Sequence, residues 1–157
     1  MTPRIDPTKY AASALGQAML KLSAETASRL DHRLLELVKI RASQINGCAY
    51  CIDMHTKDAR AEGETEQRIY ALSAWRETPF FTDRERAALE WTETLTRVAD
   101  GHPTDEQYER LTAHFSEDEI VALTFAVVVI NGWNRLAISF RPEVGSYQPQ
   151  QPAAATA

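Results

Sequence analysis

Apolar positions recur every three to four residues along most of the chain, and nowhere do they alternate with period two over the length of a strand. The spacing predicts helices at about 9–22, 31–45, 48–62, 66–77, 83–98, 105–115 and Glu117–Phe140. The 31–45 segment is unusually apolar around Leu34, Leu35, Leu37, Val38 and Ile40, and Asn46-Gly47 breaks it. Gly63 follows the third helix as a C′ residue, and Pro79 follows the fourth. Three later helices begin with capping boxes: Thr82 with Glu85, Thr104 with Gln107, and Ser116 with Glu119. The last helix carries IVALTFAVVVI and then the polar pair Asn131-Gly132. A helix apolar on nearly every side belongs in a core or a subunit interface. The expectation is one all-α domain over residues 1–140, of about seven helices in side-by-side hairpins. A tail over 141–157 lacks periodicity and is expected to be mobile.

Composition narrows the picture. The chain has 157 residues, enough for a single sizeable core, and 6 glycines are too few for a barrel of many short strands. A formal net charge of −5 gives no basis for binding a nucleic-acid backbone. The N-terminal MTPRIDPTKY has no apolar signal region, and the unbroken run Phe125–Ile130 is far short of a bilayer span. A cytoplasmic, reducing location with no membrane association is therefore expected. Two cysteines at C-x-x-C spacing in such a setting suggest redox or metal chemistry rather than a structural staple. Without a second C-x-x-C or an H-x-x-x-H, a zinc site lacks ligands, and no metal is expected.

The candidate chemistry lies between Glu36 and His55. Cys48, Cys51 and His55 form C-x-x-C-x-x-x-H at the start of the third helix, where free N–H groups favour a thiolate. Cys51 and His55, at i and i+4, share one face, so the imidazole can serve as base to that thiol. Glu36 sits within LLELVKI, and a buried acid needs a partner. If the second and third helices fold back about Asn46-Gly47, Glu36 and His55 lie ten and eight residues from the turn, at similar heights. The order Glu36, His55, Cys51 is a usable proton relay, to which Tyr50 can add a phenolic O–H. His55 on the face of Cys51 outweighs the helix N-terminus at Cys48, because general-base assistance exceeds a dipole effect of about 0.3–1 kcal/mol. Cys51 is therefore expected to attack and Cys48 to resolve. Bland roles suit His32, His102 and His114, while Trp75, Trp91, Phe80 and Phe81 suit a core or interface.

Glu36, eleven residues, then Cys48-Ala49-Tyr50-Cys51 and His55 resemble the E-x(11)-C-x-x-C-x-x-x-H signature of the alkylhydroperoxidase D-like proteins, in the carboxymuconolactone decarboxylase superfamily. The flanking stretches KIRASQINGCAYCIDMHTKDAR and INGWNRLAI are also similar, and the resemblance spans about 31–140. It implies an all-α fold, obligate trimers or hexamers, and a cofactor-free thiol peroxidase acting on hydrogen peroxide or alkyl hydroperoxides. It also implies a dithiol electron donor, in some members a lipoylated protein, and an active site of Glu36, Cys48, Cys51 and His55. Some members carry histidine where this chain has Tyr50. The alternatives from other classes are a lactone decarboxylase using Glu36 and His55, and a non-catalytic thiol redox sensor.

Overall fold

The structure is a computed structural model, and it describes residues 2–149. Eight α-helices are present among the described residues: α1 Pro7–Ala12, α2 Ala14–Ala27, α3 His32–Asn46, α4 Ala49–Ala61, α5 Glu66–Ala71, α6 Asp83–Thr96, α7 Asp105–Thr112 and α8 Glu117–Phe140. A 3₁₀ segment, Leu72–Glu77, follows α5 directly. No strand occurs among the described residues.

The arrangement centres on α3, which packs against α4, α6 and α8. Leu35, Leu37, Val38 and Ile40 on α3 are all fully buried, on several sides of the helix at once. That explains the dense apolar residues around Glu36: this part of α3 has neighbours on several sides rather than one wet face. Asp31 caps it by accepting from the Leu34 N–H, and it ends where Gly47 turns left-handed at φ 68°. In that turn Gly47 and Cys48 donate to the carbonyls of Gln44 and Ser43, and the chain reverses into α4. A side chain at Gly47 would strain this reversal.

α8 is the second spine and packs on α2, α3, α6 and α4. By length and hydropathy it could cross a membrane, yet its most apolar stretch is 56% buried against the other helices. Gly132 faces α2, and a Cβ there would lie 2.8 Å from Met19 Cε at the end of a flexible side chain. The polar pair Asn131-Gly132 does not interrupt the helix.

Two expected elements differ in detail. The helix expected at 9–22 is two helices broken at Ser13. This residue has extended backbone, donates its hydroxyl to the Tyr10 carbonyl (2.6 Å) and accepts from the Gly16 N–H (3.1 Å). A serine able to cap locally wins over helix-friendly neighbours. The break turns α1 back, and the Arg4 N–H donates to the Phe140 carbonyl while the Tyr10 and Phe140 rings lie 5.2 Å apart. The helix expected at 66–77 passes into 3₁₀ geometry at Leu72. All three capping boxes form as read. Trp75, Trp91 and Phe81 are buried, while Phe80 is partly exposed.

The tail expected at 141–157 lies in part outside the described residues. Its described part runs along α4. Lys57 Nζ donates to the carbonyls of Gly145 and Tyr147, the Gly145 N–H donates to Asp53, and the Tyr147 hydroxyl donates to Asp58 at 2.8 Å.

Candidate active site

The α3–α4 hairpin sets the site. Counting back from the Asn46-Gly47 turn brings Glu36 beside His55, with Glu36 Oε2 2.9 Å from His55 Nδ1. Lys39, one turn along α3, donates to Glu36 Oε1 at 2.7 Å. Glu36 and His55 are both buried, so neither can fall back on water. Burial pushes the Glu36 carboxyl up, but the bonds to His55 and Lys39 more than reverse this and hold it below its ordinary value.

Cys48 is not in the first turn of α4 but is its N-cap residue, a consequence of the left-handed Gly47 before it. Both cysteines are free thiols, 1% and 2% exposed, with their sulfurs 2.7 Å apart. The Cys48 sulfur makes no full capping hydrogen bond, yet it lies where the first-turn amides act on it. The Cys51 thiol holds Cys48 down to about 7, with help from the Cys51 and Tyr50 amides and the Asn134 side chain against the cost of burial. Cys51 is pushed well above an ordinary thiol, first by its bond to Cys48 and then by burial. The pair therefore shares one proton, and in the resting arrangement the negative charge favours Cys48. No side-chain hydrogen bond joins the His55 ring or the Tyr50 hydroxyl to either sulfur among the described residues.

Behind the sulfurs lies a polar lattice absent from the sequence reading. Asn46 Nδ2 donates to Asn131 Oδ1 (3.0 Å) and Asn134 Oδ1 (2.8 Å), and Asn134 Nδ2 donates to Ser43 Oγ (3.0 Å). Asn131 continues it to Thr96 Oγ1 and the Val127 carbonyl. Asn134 is fully buried with its amide turned to the thiols. Two asparagines on an otherwise apolar helix, in INGWNR, were the available signal.

Two cavities meet at Tyr50. One, of about 310 Å³, is mostly apolar; α1 roofs it with Pro7, Tyr10 and Ala11, and its floor reaches His55 and Met54 on α4. The other, of about 610 Å³, opens onto Cys48 between the start of α4, the end of α8 and Arg141–Val144 of the tail.

A third carboxylate stands close by. One ligating atom each of Glu36, His55 and Asp58 fall within 4.8 Å of one another. These are donors a cation could use, but Lys39 already supplies the cation on Glu36 and the Tyr147 phenol already serves Asp58. Protons account for the set as it stands.

The sequence profile of the carboxymuconolactone decarboxylase family matches residues 11–94, which take in Glu36, Cys48, Cys51 and His55. The chain belongs to that family. Within it the chain is alkylhydroperoxidase D-like. YdfG of Bacillus subtilis, an uncharacterised protein, is 49% identical over 112 residues, covering 71% of this chain and 76% of that one. An Agrobacterium tumefaciens protein of unknown function, a candidate antioxidant-defence protein AhpD, has a crystal structure that superposes with a TM-score of 0.84 at 43% identity. That match covers 95% of this chain and 99% of the other. The debrominase Bmp8 shares the fold alone, with a TM-score of 0.73 at 18% identity over 84% of this chain and 72% of its own.

Proposed function

We propose that the protein is a cysteine-dependent peroxidase that reduces hydrogen peroxide or alkyl hydroperoxides through a disulfide cycle at Cys48 and Cys51. The observation that carries this reading is the pair of free sulfurs 2.7 Å apart with a depressed thiol at Cys48, one helical turn from a Glu36–His55 pair.

The cavities suggest how the work divides. Peroxide enters the apolar chamber, whose wall on α4 is Tyr50, Met54 and His55, around the Cys51 turn. Cys48, carrying the resting charge, accepts the Cys51 proton across the sulfur contact and leaves Cys51 as the thiolate. That thiolate attacks the outer oxygen and the O–O bond breaks. Cys51 becomes a sulfenic acid, two electrons pass to the peroxide, and the departing alkoxide takes a proton from the relay. Cys48 then displaces hydroxide from the sulfenic acid, which leaves as water with a proton, and the disulfide forms. An external dithiol reduces the disulfide through the second cavity, where Cys48 is the reachable sulfur. A lipoyl-type dithiol has suitable chemistry for this step.

Assembly belongs to the same proposal. Val121, Phe125 and Val128 form an exposed apolar stripe at i, i+4 and i+7 on α8, and a second copy of the chain is the proposed cover, in a cyclic oligomer.

The test is consumption of hydrogen peroxide and of an alkyl hydroperoxide with a panel of dithiol donors, with free thiols counted before and after. The expected result is turnover with at least one donor and loss of both thiols when no donor is present. A protein that consumes neither peroxide and keeps both thiols reduced defeats the reading.

A further inference from the structure

Asp58 and Tyr147 play no part in the cycle above, yet the fold spends several hydrogen bonds in bringing them to it. Asp58 lies one turn beyond His55 on α4, and its carboxylate falls within 4.8 Å of both the His55 ring and the Glu36 carboxylate. Tyr147 reaches it from the tail, which Lys57 and Asp53 pin to α4, and donates its phenol to Asp58 Oδ1 at 2.8 Å. Burial, then the bond to Asp58, then the nearby charges of Asp58 and Glu36 all push the Tyr147 phenol up, so it stays a donor throughout the working range. Residue 147 lies outside the span matched by the family profile, so this partner comes from the chain's own tail.

We propose that Asp58 and Tyr147 are positioning residues of the thiol site: Asp58 sets a second carboxylate against His55, and Tyr147 fixes that carboxylate and tempers its charge. The proposal deepens the peroxidase reading and rests on it for its kinetic test. The titratable groups around His55 are Glu36 and Lys39 from α3, Asp58 on α4, Tyr147 reaching Asp58 from the tail, and Tyr10 and Tyr50 on the cavity wall it shares. Lys39 is bonded to Glu36, while Lys57 is bonded to Asp53 and the tail, so the charge on Asp58 is left for the imidazole and the phenol to share. In the cycle above the relay gives a proton to the departing alkoxide, and the Asp58 charge held beside the imidazole governs how readily it is given.

Two substitutions then act in opposite directions. Asp58→Asn removes a charge, and the alkaline limb of the pH–rate profile for sulfenic-acid formation moves to lower pH, by about one unit or more for a charge this close. Tyr147→Phe removes a hydrogen bond that draws on the same charge, so the limb moves to higher pH, by less than about one unit. General damage to the fold would move both variants the same way. Opposite shifts support the proposal, and two unmoved profiles or two shifts of one sign overturn it.

A second readout needs no turnover. The ring N–H that His55 turns to Glu36 should give a downfield proton resonance, to be assigned by its loss in His55→Ala. It should move in both Asp58→Asn and Tyr147→Phe, and Tyr147→Phe keeps the ring that fills the site. If the wild-type chain fails to react with peroxide, the peroxidase reading falls and this resonance alone decides the positioning role. An unmoved resonance in Tyr147→Phe with native circular dichroism overturns it.

Discussion

Glu36→Gln should destabilise the fold by an amount that disappears in acid. The wild-type carboxylate accepts two charge-assisted bonds, from Lys39 at 2.7 Å and His55 at 2.9 Å, and each is worth about 1.5–3 kcal/mol. Glutamine keeps an acceptor for His55, now a neutral bond worth about 1 kcal/mol, and turns an amide N–H₂ toward the Lys39 ammonium. The Lys39 side chain is 23% exposed and can swing to water, and the cost of burying the Glu36 charge is removed. About 2–3 kcal/mol of net loss remains at pH 7, or a melting point about 4–12 °C lower for a domain of this size. The sign with pH follows from the depressed Glu36 carboxyl. Its stabilisation is complete above the ordinary 4.5 of an unfolded glutamate and is lost as pH falls through the lower folded value. Urea unfolding of both proteins between pH 7.5 and 3.5 measures the difference, and contributions common to both cancel. The difference should be full down to about pH 5 and should shrink below 4.5. A gap of the same size at pH 3.5, or a variant within about 0.5 kcal/mol of wild type at pH 7, refutes the argument.

Four further outcomes are expected. With Cys48 replaced by serine, Cys51 should still form a sulfenic acid that a dimedone-type reagent traps, whereas Cys51→Ser should trap little at Cys48; the reverse labelling would exchange the two roles. In the reduced wild-type protein, alkylation of Cys48 should rise with a midpoint near the value of about 7, and Asn134→Ala should move that midpoint upward. Gly132→Ala should cost less than about 1 kcal/mol, because the new Cβ meets only the free end of the flexible Met19 side chain and alanine is the better helix former; a loss above about 2 kcal/mol in urea unfolding would contradict this. Light scattering should give a multiple of 17.6 kDa at micromolar concentration, and Phe125→Asp should lower it; a wild-type monomer would contradict the proposed assembly.

Much of the site could be read from the sequence because Glu36 and His55 are counted from one short turn. Helical rise alone brings them level, and a two-residue break leaves little freedom in how α3 and α4 pair. The capping boxes were legible for the same reason, since each is settled within four residues. The break at Ser13 was not, because an isolated serine among alanines fits a helix interior as easily as a cap until α1 finds the end of α8 to pack on. Asn134 and Asp58 were missed for a different reason. Each becomes meaningful only when another element arrives, Asn134 when α8 crosses the α3–α4 turn, and Asp58 when residue 147 returns from the far end of the chain. The placement of Cys48 at the cap rather than inside the first turn turned on the left-handed Gly47, a shift of one residue that periodicity does not resolve.

The shared wall at Tyr50 bears on how such a cycle would be fed. When oxidant and reductant use one opening, each at high concentration occupies the form of the enzyme meant for the other, and turnover falls at both extremes. Two openings that meet only at Tyr50 remove that rivalry. Parallel double-reciprocal lines should then persist to high concentrations of both partners, and trimming Tyr50 to alanine, which joins the two spaces, should bring mutual inhibition back.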